Sequence, residues 1–155
     1  SSAKDENDLS DATSGTVDVT GTDGWYIELP NLGEKDLARA SVINKIAYFT
    51  TYEPSSVVSG DPCEAGARGT ARLYAVEYLA AAAAYNYDTS NDSGGFVVLE
   101  TSDRSTLIGT GIPSGVVVVI SPSGISALIG VGGAIVTPEV SDTGSIIPVY
   151  WREVR

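Results

Sequence analysis

The sequence predicts an all-β fold of antiparallel sheets, and three observations support this prediction. Segments rich in Val, Ile, Thr and Tyr alternate with clusters of Gly, Pro, Ser and Asn, at spacings of roughly 8 to 15 residues that favour a sandwich or a propeller. These residue types are β-branched or aromatic, as strands prefer. No segment has a convincing helical pattern. The alanine run Ala80–Ala84 is too short to nucleate a helix unaided, so it either extends a strand or forms one turn of helix.

The clearest strand is the apolar run Val116–Ile120, which has Gly, Pro and Ser on both sides. A strand with one exposed face alternates apolar and polar residues, whereas this run is apolar on both faces. The run is therefore predicted to be an inner strand buried on both sides. Together with Ile125–Val131 it forms a predicted hairpin across a Ser-Pro-Ser-Gly turn.

The remaining predicted strands group around two triplets that resemble the inner strands of propeller blades. The triplets are Ala38–Ile43, Ile46–Tyr52 and Ala71–Leu79, then Ser114–Ile120, Ile125–Val131 and Ile146–Glu153, with Trp25–Leu29 and Phe96–Glu100 as outer strands and Asp103–Ile108 leading into the hairpin. A closed propeller needs at least about four blades, and this chain supplies two to three. We therefore expect open sheet edges that a partner or self-association completes.

The chain divides into two predicted parts. Residues 1–23 carry six acids against one lysine and are predicted to form a flexible acidic arm. Residues 24–155 form one β-rich domain, in which Trp25 and Trp151 are expected to be packed. Because the first residue is Ser1, we expect a processed chain or a fragment from which any signal peptide has been removed.

The charge balance excludes several partners. The net charge is -11 and the pI is about 4.2, so the chain is not expected to bind nucleic acid or an anionic membrane. No stretch approaches the roughly 18 apolar residues of a membrane helix, so membrane insertion is not expected. Acidity of this kind suits a protein that is soluble outside the cell.

Catalysis is not expected from this composition. The chain contains no histidine, and its single cysteine, Cys63, has no neighbouring base. A serine nucleophile would need a lysine as base, and the lysines at positions 4, 35 and 45 lie near turns or in the arm. Cys63 is therefore interpreted as structural or as a partner thiol, and the protein as a non-enzyme with no cofactor.

One loop has partial calcium-ligand spacing. It contains Asp88, Asn91 and Asp92, followed by Glu100, and calcium prefers oxygen ligands at alternate loop positions with a final bidentate acid. A frame that begins at Asp88 lacks the glycine and the final acid. A frame that begins one residue later has Gly94 and Glu100 in place but loses the first Asp. The loop is either a polar hairpin loop or a calcium site.

Aromatic residues near the C-terminal end are candidates for contact with another subunit. Tyr150 and Trp151 combine a large apolar area with a polar atom, which suits interfaces. They are the predicted interaction residues.

Several segments together resemble the C-terminal region of the PilY family, large proteins associated with type IV pili. They are GWYIELP, KIAYFTTYEPSS, DPCEAG, LYAVEYL, IGTGIPSGVVVVISPSG, LIGVGGAI and IIPVYWREV, in this order between Gly24 and Arg155. The resemblance implies a modified β-propeller, secretion to the cell surface or pilus, and roles at the pilus tip in biogenesis and adhesion. It also implies pilin or minor pilin subunits as partners.

The chain departs from the family in two ways, and these leave alternatives open. Family members are far longer and carry an N-terminal adhesive region, which we do not expect in this chain, and the calcium loop here is incomplete. The first alternative is a globular structural subunit of a pilus-like filament whose N-terminal helix is a separate chain. The second is a calcium-dependent binding domain.

Overall fold

A computed structural model describes residues 6–18, 20, 23–55, 68–121 and 124–140. Within these ranges the chain forms strands and two short 3₁₀ helices, Glu6–Asp8 and Thr101–Arg104. The strands are β1 Ser10–Asp11, β2 Trp25–Tyr26, β3 Lys35–Asp36, β4 Ser41–Ile43, β5 Ile46–Glu53, β6 Thr70–Glu77, β7 Ser105–Thr110, β8 Val117–Ser121, β9 Gly124–Val131 and β10 Ala134–Val136. The prediction of an all-β fold is confirmed.

Two antiparallel sheets make up most of this structure. The large sheet has the strand order β3-β5-β6-β7, and β4 also pairs with β5; the small sheet has the order β10-β9-β8. The tight turn at Asn44 and Lys45 has positive φ at both residues, 48° and 69°, the geometry that closes a two-residue hairpin. A separate parallel pair joins β1 to β2. In the described ranges these sheets are open.

The hydrophobic core lies between the large and the small sheet. Tyr48, Leu73 and Ala75 of the large sheet meet Ala127 and Ile129 of β9, and all five are fully buried. The buried Val116 joins them just before β8. Side chains also tie the sheets together at the segment before β8. Thr50 Oγ1 donates a hydrogen bond to Ser114 O at 2.9 Å, and Ser41 Oγ donates one to Val116 O at 3.1 Å.

The strand around Val116–Ile120 forms, but the prediction that it is buried on both sides is wrong. Strand β8 lies at one edge of the small sheet, with β9 as its pairing neighbour. Val117 and Val119 point away from the core and are 57% and 41% exposed, and Ile120 is 67% exposed. The run is apolar on both faces, yet in the described structure one face alone contacts the core.

The segment Phe96–Glu100 is not a strand, which corrects another prediction. Phe96 makes an isolated bridge to Ser93, and the rest of the segment has no strand partner among the described residues. Its N–H groups go to carboxylates instead: Val98 N donates to Asp92 Oδ1 at 3.0 Å, and Glu100 N donates to Asp103 Oδ2 at 2.9 Å. Local side-chain acceptors therefore replace a neighbouring strand.

Two other strands differ from the sequence prediction. The strand predicted at Trp25–Leu29 is reduced to Trp25–Tyr26, because its partner is the two-residue β1. The third strand of the small sheet is Ala134–Val136, and the predicted strand Ile146–Glu153 lies outside the described residues.

The alanine run forms a turn rather than a helix or a longer strand. Ala81 has a φ of 56°, and Glu77 N donates to Ala82 O at 2.8 Å, so the chain folds back along β6.

Part of the predicted acidic arm has defined contacts. Ala12 is fully buried, and its N–H donates to Tyr26 O at 2.9 Å. The guanidinium of Arg104, which is only 3% exposed, donates from Nη1 to Ala12 O at 2.6 Å and from Nη2 to Gly15 O at 2.5 Å. The arm is thus held against the domain at residues 10–15, while the domain boundary itself stays a prediction.

Gly69 fixes the entry into β6, which gives a first testable prediction. A Cβ at this position would lie 2.1 Å from Glu53 O and 2.6 Å from the ring of Tyr52. We expect Gly69→Ala to lower the free energy of unfolding by about 2 kcal/mol or more, because the backbone must shift to relieve the overlap. Urea denaturation measures this loss. Gly15→Ala is the control, since nothing lies within 4 Å of its Cβ position; equal losses in both variants would contradict the steric explanation.

Candidate interaction surface

The polar loop between β6 and β7 is organised by the carboxylate of Asp103. This side chain is fully buried. Its Oδ1 accepts a hydrogen bond from Asp88 N at 2.7 Å, and its Oδ2 accepts bonds from Glu100 N at 2.9 Å and Asn91 Nδ2 at 2.7 Å. Burial raises the pKa of Asp103, but these hydrogen bonds outweigh it and hold the pKa below its ordinary value. The sequence reading missed Asp103, because aspartates are rarely buried and nothing in the pattern marks this one.

The predicted calcium ligands are brought near one another, but their oxygens have other partners. Asp88 Oδ1 accepts from Ser90 N and Oγ, and Asp92 accepts from Val98 N and Asn86 Nδ2. The side-chain carbonyl oxygens of Asn86 and Asn91 are buried without a hydrogen bond. No group of three or more His, Cys, Asp or Glu that could hold a metal occurs in the part of the chain that the structure describes. These partners favour the polar hairpin loop, and the calcium site stays the alternative.

A metal titration tests this loop directly. Because Asp88, Asp92 and Asp103 already accept N–H groups, we expect the thermal midpoint to be the same in EDTA and in excess CaCl₂. A site whose Kd lay 100-fold below the calcium concentration would add about 2.7 kcal/mol of stability. Mg²⁺ at equal concentration is the control for ionic strength, and a rise with Ca²⁺ alone would restore the calcium interpretation.

The buried Asp103 carboxylate also predicts a pH dependence of stability. The folded pKa lies below that of the unfolded chain, so the stabilisation is present above the unfolded pKa of about 3.9 and is lost as the pH falls through the folded value. We expect Asp103→Asn to lower the free energy of unfolding by about 2 kcal/mol at neutral pH, and by less in acid, as measured by urea denaturation. Asp36→Asn is the control, because the exposed Asp36 accepts a single local bond, from Ala38 N. Equal losses in the two variants would contradict the role assigned to Asp103.

The small sheet presents an apolar outer face, on the side opposite the core. We define it by Val117 and Val119 of β8, Leu128 of β9 and Ile135 of β10. Strand registers place these side chains on one side, since Val117 pairs with Leu128 and Ile135 pairs with Gly130, two residues further along β9. Val117 is 57% exposed and Ile135 is 72% exposed. The other residues of β9 on this face, Ser126 and Gly130, are uncharged.

This outer face ends at an unpaired strand edge. Strand β8 pairs with β9 on one side, and in the described ranges no strand pairs with its other side. An open edge with exposed apolar side chains offers both main-chain hydrogen bonds and apolar contacts to another strand. Contiguous exposed apolar residues of this kind typically mark an interaction site.

Of the remaining sequence-predicted residues, Tyr150, Trp151 and Cys63 are outside the described residues. Trp25 is half-buried, and its Nε1 donates a hydrogen bond to Tyr78 O at 2.8 Å.

No helix in the described part of the chain is both long and apolar enough to cross a membrane.

Comparison with known proteins adds no family. No protein-family model, curated protein or solved structure matches the chain. The function is therefore argued from the geometry and from the sequence resemblance.

Proposed function

We propose that this chain is a non-catalytic, extracellular type IV pilus-associated module that works by docking another protein onto the outer face of its small sheet. The single observation that carries this proposal is the exposed apolar face of Val117, Val119, Leu128 and Ile135 beside the unpaired edge of β8. The resemblance to the PilY family supplies the pilus context.

The energetics favour covering this face. Burying apolar surface gains about 25 cal/mol per Å², and Val117 and Ile135 each keep more than half of their side-chain surface in contact with water. The outer face carries no charge, so a partner can cover it without desolvating an ion. A strand added to the β8 edge would also satisfy main-chain groups that otherwise face water.

The arrangement of strands supports a blade-like architecture. The strands of the first predicted triplet pair in sequence order, β4 with β5 and β5 with β6, and β8, β9 and β10 form a second antiparallel meander. The two sheets pack face to face, as neighbouring propeller blades do. On this proposal the outer face of the small sheet is the position that a further blade, from a partner or a second copy, would occupy.

The partner class follows from the pilus context. A pilin or minor pilin subunit seated on the outer face makes this chain a tip or biogenesis component, present in small numbers. A repeated contact between copies of this chain makes it the globular subunit of a filament whose helical part is a separate chain. Both roles use the outer face of the small sheet, so the number of copies of this chain per pilus distinguishes the tip component from the filament subunit.

The experiment combines assembly measurements with a matched substitution. We expect native surface material, viewed by electron microscopy, to contain this chain in pilus-associated assemblies, and Val117→Lys to abolish the association. Light scattering after size exclusion measures the assembly state of each purified variant. Val97→Lys is the control, because Val97 is equally exposed, at 64%, but lies in the loop after β6 rather than on the small sheet.

The assembly that is observed distinguishes a structural subunit from a tip component. Filaments that contain this chain in stoichiometric amount identify a structural subunit, and rare density at pilus ends identifies a tip component. Association that survives Val117→Lys, or a chain that never associates with itself or with a pilin, contradicts docking through the outer face.

A further inference from the structure

A cleft of about 550 Å³ lies on the side of the large sheet that points away from the core. Leu73 and Ala75 of β6 face the core, so their alternating neighbours Arg72 and Tyr74 face the cleft. The start of β7, the 3₁₀ helix Thr101–Arg104 and the loop at residues 27–31 complete its walls. Because the large sheet and the core separate the cleft from the outer face of the small sheet, any ligand of the cleft is independent of the proposed docking.

Two arginines converge on this cleft in a chain that is strongly acidic overall. Arg72 and Arg104 both line it, although acids outnumber cations by 20 to 9 in the sequence. The Nε atoms of both arginines are buried and have no hydrogen-bond partner in the described structure. A planar guanidinium suits a planar oxyanion, and the side chain of Arg72, which is 25% exposed, can present one to the cleft.

The charge of Arg104 is not neutralised by a carboxylate in the described ranges. Its Nη atoms donate to the main-chain oxygens of Ala12, Thr13 and Gly15, which are neutral acceptors. Burial lowers its pKa, which reflects the loss of water around the charge. Arg104 is 3% exposed, so its positive charge attracts an anion in the cleft without touching it. Arg72 is the arginine that can contact the anion directly. Arg72 makes one long ion pair, from Nη2 to Glu53 Oε2 at 3.9 Å.

Nearby acids limit the charge of the ligand. Glu28 lines the cleft, and the buried Glu34 accepts hydrogen bonds from Thr51 Oγ1 and from Tyr74 Oη behind it. Burial, and next the charge of Glu34, raise the pKa of Tyr74 to about 12, so Tyr74 stays a neutral donor at physiological pH. Two acids repel a doubly charged phosphate more strongly than a singly charged carboxylate.

We propose that this cleft binds a carboxylate group. Arg72 is the contacting cation, Arg104 supplies a fixed positive charge behind it, and the hydroxyls of Ser102 and Ser105 at the wall add hydrogen bonds. The volume lies within the range of small-molecule sites. The carboxylate belongs to a free small acid or to an acidic side chain of a polypeptide, and the chemistry at Arg72 is the same in both cases.

The test is an NMR titration of the whole chain at low salt with N-acetyl-L-glutamate, and with neutral N-acetyl-L-glutamine as its matched probe. We expect saturable shifts centred on Arg72 and Ser105 with the acid, and at least about tenfold weaker binding of the amide, which corresponds to about 1.4 kcal/mol. An acidic tripeptide, acetyl-Glu-Glu-Glu-amide, distinguishes the two sources of the carboxylate. If it binds more tightly than N-acetyl-L-glutamate, the ligand is a polypeptide; if it binds equally, the ligand is a small acid.

Substitutions locate the site. Arg72→Gln is expected to weaken N-acetyl-L-glutamate at least about tenfold, whereas Arg39→Gln, at an exposed arginine that does not line the cleft, leaves it unchanged. Arg72→Lys keeps the positive charge but loses the paired N–H donors of the guanidinium, so it is expected to bind N-acetyl-L-glutamate with intermediate affinity. This variant serves as the test if Arg72→Gln does not fold. No saturation at about 50 mM acid, equal binding of acid and amide, or unchanged binding in both Arg72 variants would overturn the proposal.

Discussion

The structure depends on the pairing of β5 with β6. These two strands pair over eight consecutive residue pairs, from Ile46 opposite Glu77 to Glu53 opposite Thr70, and both of their faces are used. Tyr48 and Leu73 face the core, and Arg72 and Tyr74 face the cleft. A slip of one residue in this register would exchange the two faces completely. The same ladder therefore fixes the hydrophobic core on one side and the arginine-lined cleft on the other.

The sequence predicted both strands of this ladder, because each carries a strong local signal. Ile46–Tyr52 is rich in aromatic and β-branched residues, and Ala71–Leu79 has an alternating pattern. Prediction failed at Phe96–Glu100, where β propensity is equally high. There the carboxylates of Asp92 and Asp103 take the N–H groups that a neighbouring strand would have taken. Strand propensity describes what each residue prefers, and it does not include nearby side chains that can accept the main-chain hydrogen bonds.

The two proposed binding surfaces differ in how much of each could be predicted from the sequence. The apolar character of Val116–Ile120 was visible in the sequence, but its burial depends on what covers β8, which periodicity cannot state. The run is apolar on both faces, and one face is exposed at Val117 and Val119. This pattern agrees with the proposal that a partner covers the outer face. The cleft left no sequence signal, because Arg72 and Arg104 are 32 positions apart and only the pairing of β6 with β7 brings their surroundings together.

The acidity of the chain has a structural use that composition alone did not reveal. In a fold with many loops, main-chain N–H groups outside strands need acceptors, and here carboxylates supply them. Side chains that accept such bonds are Asp11, Asp18, Asp36, Glu77, Asp88, Asp92 and Asp103. Hydrogen bonds from the hydroxyls of neighbouring Thr and Ser side chains, and next from main-chain N–H groups, lower the pKa of Asp11, Asp18 and Asp88, so these acids remain charged. The excess negative charge thus stabilises the turns.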